Sequence, residues 1–138
     1  MNMTNAEDIR WQQRFQNFQK SLLLLEGALN IQTPDIYQKA GLIQFFETTF
    51  ELSWKLMKDY LEAEGFMDIK SPRAVIKKAF ETELIENGHV WIELLQDRNL
   101  TAHTSDEKKA DLVETQIREK YHPIIRELYN HFERLLDE

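Results

Sequence analysis

Apolar residues recur every three or four positions along nearly the whole chain, and no stretch alternates with the period of two that a strand requires. Trp11, Phe15, Phe18, Leu22, Leu25 and Leu29 form the stripe of a first helix that stops before Thr33-Pro34, with Asn30 punctuating its end. A second helix is predicted from about Asp35 to Glu64, closed by Gly65, which tolerates positive φ. It carries two apolar faces. Leu42, Phe45, Phe46, Thr49, Leu52, Ser53, Leu56 and Tyr60 make one; Ile43, Phe50, Trp54, Met57 and Leu61 make the other. A helix apolar on two sides predicts a bundle core on one side and a subunit interface on the other.

Ser71-Pro72 reads as an N-cap followed by Pro at the first helical position, opening a shorter helix through Ala74, Val75, Ala79, Phe80 and Leu84 that Asn87-Gly88 ends. A further helix from about Val90 turns Trp91, Leu94 and Leu95 inward. Ser105 then serves as the N-cap of a long last helix with the stripe Leu112, Ile117, Tyr121, Ile124, Leu128, Phe132 and Leu135, kinked at Pro123. Short connections between such helices give up-and-down topology. The fold class expected is therefore all-α: an up-and-down four-helix bundle with an extra short helix, homodimeric, in one domain over residues 1–138.

Composition narrows the chemistry. The chain has no cysteine, which removes disulfides, thiolate nucleophiles and cysteine-bound zinc. The longest apolar run, Leu22 to Leu25, is followed at once by Glu26 and is too short to span a bilayer, so a cytoplasmic protein without membrane contact is expected. A net charge of −7 argues against an extended basic face of the kind that tracks DNA. The basic clusters, Lys70, Arg73, Lys77 and Lys78 and then Lys108 and Lys109, read as solvated helix faces, confining any RNA contact to a small cleft. His89, His122 and His131 form no His-x-x-Glu-His pattern, and glycine-rich phosphate loops and nucleophile elbows are missing. No metal site and no cofactor are expected.

The candidate chemistry lies in Arg98-Asn99-Leu100-Thr101-Ala102-His103. A cation that stays charged and an imidazole that exchanges its proton near neutral pH stand five residues apart, and Asn99 lies one helical turn before His103. Such a trio can hold and cleave a phosphodiester. It also has a purely structural reading, with Arg98 favoured by a helix C-terminus, Asn99 capping a turn and His103 at a solvated end. On the second helix, Glu51 and Lys55 form either an ordinary i, i+4 pair or two further groups in the Arg98–His103 cleft.

The segments Phe45 to Leu61 and Arg98 to Thr104 together resemble the nucleotidyltransferase substrate-binding protein family of the HEPN superfamily, and the likeness extends over almost the whole chain. The resemblance implies a homodimer in which the Arg-x4-His motifs of both subunits meet in a shared cleft that takes a nucleotide or RNA. It also implies a separately encoded minimal nucleotidyltransferase as partner. Members act either as the binding half of a two-part nucleotide-transfer enzyme or as a metal-independent RNase toxin neutralised by the transferase. For the toxin, Arg98 would hold the scissile phosphate, His103 would act as general acid or base, and Asn99 would orient the histidine. Toxin members often continue His-x-Tyr, the tyrosine accepting AMP; here that position is Ser105. The acidic charge and the missing tyrosine place the binding subunit, with Arg98, Asn99, His103, Glu51 and Lys55 as contacts, ahead of the RNase.

Overall fold

The computed structural model describes residues 5–98 and 106–138. Its helices are α1 (Ala6–Leu29), α2 (Ile36–Ala63), α3 (Pro72–Glu81), α4 (Gly88–Asp97), α5 (Glu107–Gln116) and α6 (His122–Leu136), with a π-helical turn, Ile117–Tyr121, joining α5 to α6. Among the described residues there is no strand. Asn5 caps α1 by accepting from the Asp8 N–H at 2.8 Å. At α2 a capping box pairs Asp35 with Gln38 in both directions. Ser71 caps α3 as its spacing predicts.

Side-chain pairs give the directions of the helices. Arg10 with Glu62, Arg14 with Asp59 and Ser21 with Thr49 run oppositely along α1 and α2, making them antiparallel. Phe46 on Tyr121 and Tyr60 on Phe132 run the same way along α2 and the α5–α6 rod. The result is an up-and-down helical bundle in which two ten-residue helices, α3 and α4, fill the place of one long helix.

α2 is the axis, packing against α1, α3, α5 and α6. Phe50, Leu56, Met57 and Leu61 are at most 1% exposed, and Trp91 of α4 lies over Phe50 with ring centroids 6.5 Å apart. Burial of each such side chain contributes about 1.5–3 kcal/mol. The second apolar face of α2 is thus covered by the chain itself. The sequence pattern behind a subunit interface there has an intramolecular explanation, because four neighbours surround one helix.

Other expectations shift in register. Phe80 is 53% exposed and lies over Gly88, while Ile76 and Ala79 turn inward; a Cβ on Gly88 would sit 2.9 Å from the Phe80 ring. Gly88 begins α4 rather than ending α3, which stops at Glu81 with Glu83 at φ 63°. Leu112 is 51% exposed and its neighbour Val113 is buried instead. The N-cap of α5 is Asp106, whose carboxylate accepts from the N–H groups of Lys108 and Lys109; Ser105, the expected cap, lies outside the described residues. Before Pro123 the last helix departs from regular α-helical geometry. The helix widens before it, the His122 N–H donating to Ile117 C=O five residues back, so one extra residue is accommodated where proline removes a donor.

Candidate functional site

Arg98 closes α4 as its C-cap, its N–H donating to the Leu94 carbonyl. A cation at this end meets the negative pole of the helix. Its guanidinium Nη1 donates to Glu51 Oε1 of α2 at 3.2 Å, with both side chains about two-fifths exposed. The other Glu51 oxygen accepts from the Trp54 indole N–H at 3.0 Å. Glu51 therefore stands between an arginine and a buried tryptophan, so its carboxylate is directed rather than free to wander.

The end of α4 is tied from its other side by the π-helical turn. Tyr121, buried and stacked on Phe46 at 5.9 Å, donates its hydroxyl to Asp97, the residue before Arg98. Lys120 pairs with Glu93, one turn earlier on α4, at 2.8 Å. Burial, the hydrogen bond to Asp97 and the nearby carboxylate charges all push the Tyr121 phenol well above its ordinary pKa. It stays protonated and keeps donating. The extra residue of the π-helical turn lets Lys120 and Tyr121 address α4 while Ile117 and Ile125 remain in the core.

Of the residues singled out from sequence, Glu51 and Arg98 are brought together. Lys55 lies one turn further along α2, about 6 Å in axial rise. Its ammonium is 6.0 Å from the Trp54 ring, and it opens onto a groove shared with Arg14, Lys58 and Lys70. Asn99, His103 and Ser105 lie outside the described residues. Trp54, Asp97 and Tyr121 were not singled out for this corner. Trp54 could have been read from its i, i+3 spacing to Glu51, whereas nothing in the sequence links Tyr121 to Asp97. Among the described residues no three His, Asp or Glu side chains group as a metal site.

An arginine fork facing a carboxylate at a helix end is a place where another anion, such as a phosphate, can be exchanged in. Residues 13–134 match the family described as nucleotidyltransferase substrate binding protein like. The chain belongs to that family. A curated relative, the probable ribonuclease HepT of Haemophilus influenzae, is 38% identical over 97 residues, covering 61% of this chain and 62% of that protein. A crystal structure of a Thermus thermophilus protein has 27% identity and a TM-score of 0.73, covering 88% of this chain and 99% of the other. For this nucleotidyltransferase substrate binding protein-like chain, the family resemblance and the helical bundle expected from sequence both hold. Among the described residues no helix is long and apolar enough to cross a membrane.

Proposed function

We propose that this protein is a metal-independent ribonuclease of the HEPN type that works as a homodimer and is held in check by a separately encoded minimal nucleotidyltransferase. The observation that carries the reading is Arg98, the first residue of the Arg-x4-His run, anchored at a helix end with its guanidinium on an exchangeable carboxylate. The likeness to a probable ribonuclease supports a phosphodiester as the anion that replaces it.

In this reading the guanidinium leaves Glu51 for the non-bridging oxygens of the scissile phosphate and stabilises the charge that builds on them. The ribose 2′-oxygen attacks phosphorus as its proton passes to one His103, and the P–O5′ bond breaks as the 5′-oxygen takes a proton from the other subunit's His103. A 2′,3′-cyclic phosphate and a 5′-hydroxyl result. Asn99 orients the imidazole, and Lys55 offers charge to a neighbouring phosphate.

A second reading is favoured by the Glu51–Arg98 pair itself, by the net charge of −7 and by Ser105 in place of tyrosine. Here the same arginine binds the phosphate of a nucleotide for the transferase, and no RNA is cut. Incubating purified protein with total RNA and tRNA in the presence of chelator, beside His103→Ala, separates the two. Cleavage by the wild type alone supports the ribonuclease; RNA left intact by both rejects it and leaves the binding subunit. Light scattering tests the dimer, a monomer at micromolar concentration removing the shared cleft.

A further inference from the structure

The protein carries a net charge of −7, yet Ile69 to Phe80 holds four cations and no carboxylate. Lys78 pairs with Glu81 at 2.9 Å and lies over Phe66. Among the described residues Lys70, Arg73 and Lys77 make no ion pair, and all three are exposed. Arg73 and Lys77, one turn apart, share the outer face of α3, opposite the buried Val75, Ile76 and Ala79. Exposed like charges on one face repel one another, a cost that a bound polyanion would remove.

This face joins the candidate site through the groove between α1, α2 and the α2–α3 connection. Trp54 is the shared wall, its indole N–H on Glu51 and its ring lining the groove beside Lys55 and Lys70. Carboxylates also border the groove, but Asp59 is taken by Arg14 at 2.9 Å and Glu62 by Lys58 at 2.9 Å, leaving Glu7 and Asp68 against Lys55 and Lys70. The groove's formal charges therefore balance, and the excess positive charge lies beyond Lys70 on α3, at Arg73 and Lys77.

We infer that Lys55, Lys70, Arg73 and Lys77 form a track that binds the phosphates of a single-stranded RNA flanking the position held by Arg98. The inference rests on the ribonuclease reading for its choice of ligand. It assigns α3 to substrate binding, where the sequence suggested only a solvated face. Single-stranded RNA suits the track because contacts to phosphates require charge and spacing, not a groove shaped for a duplex.

The test uses His103→Ala protein, so that RNA stays intact, and a labelled single-stranded RNA oligonucleotide followed by fluorescence anisotropy over a potassium chloride series. Adding Arg73→Glu and Lys77→Glu is expected to weaken binding about tenfold at moderate salt and to lower the log–log salt slope by about 1.4, two phosphate contacts' worth. Lys20→Glu with Arg134→Glu changes the net charge equally at exposed sites elsewhere and should leave the slope unchanged. Equal effects of the two pairs, or no RNA binding by the parent, overturn the track. So does loss of the nucleotidyltransferase from co-purification with RNA affinity intact, which would make α3 a protein-docking face. Cleavage by otherwise wild-type protein is scored separately. RNA binding that depends on α3 without cleavage rejects the ribonuclease and keeps the track, while cleavage with α3-independent binding does the reverse.

Discussion

The middle of α2 and the end of α4 are held by different physics. Around Phe50, Leu56 and Met57 the contacts are apolar and reach α2 from several helices, so no single partner sets the geometry. At Arg98 orientation comes from individual polar links: to Glu51, through Asp97 to Tyr121, and through Glu93 to Lys120. Dispersion and burial are large in sum and tolerant of direction, whereas hydrogen bonds are modest in net energy and strict about angle. The bundle thus draws its stability from one region and aims its candidate anion site with another.

Substitutions can break each side of that contrast. Phe50→Ala removes a side chain 1% exposed beneath Trp91 and is expected to cost about 3–5 kcal/mol in urea denaturation, the largest effect here. Tyr121→Phe keeps the ring on Phe46 but withdraws the donor from Asp97; a loss of about 1–2 kcal/mol is expected, with RNA turnover falling several-fold as the α4 end loosens. A variant with full turnover would show that the tie does not aim the site. Glu51→Gln should change stability by less than about 1 kcal/mol, because the ion pair is about two-fifths exposed. Its effect should appear in binding: inorganic phosphate should compete with RNA at lower concentration once the Glu51 carboxylate no longer opposes it.

Acid sharpens the comparison at the far end of the bundle. Burial, then the charge of Arg134, holds the His131 imidazole below its ordinary pKa in a cavity of about 150 Å³ beside Trp91 and Leu128. The folded state resists protonation there more than the unfolded chain does. The contribution is therefore present above about pH 6.5 and is lost as pH falls through and below that value. Denaturation midpoints measured on either side of pH 6.5 should fall on acidification, and His131→Gln should flatten part of that slope. At the α4 end the sign is opposite. The raised pKa of Tyr121 gives stability below about pH 10 that is lost as pH climbs above it, so Tyr121→Phe should blunt alkaline unfolding.

The stripes of α1 and α2 were legible because a helical period repeated over 24 and 28 residues leaves little freedom in which face turns inward. Short helices gave less. With ten residues each in α3 and α5, single positions went astray: Phe80 is exposed while Ile76 is buried beside the expected Val75 and Ala79, and Val113 is buried in place of Leu112. For the site, the value of Arg98 was readable from its motif and Glu51 from its place on α2. Their meeting across 47 positions of sequence was not.

The sequence by itself determined an all-helical chain, its breaks near Pro34, Gly65 and Pro72, and an Arg-x4-His run, since period, capping and motif are local properties. The tertiary structure decided which helix faces were already occupied. It covered both sides of α2 within one chain, because a bundle surrounds its central helix. It also set Glu51 against Arg98 and Tyr121 against Asp97, pairings that depend on how helices lie across one another and on one extra residue in a π-helical turn.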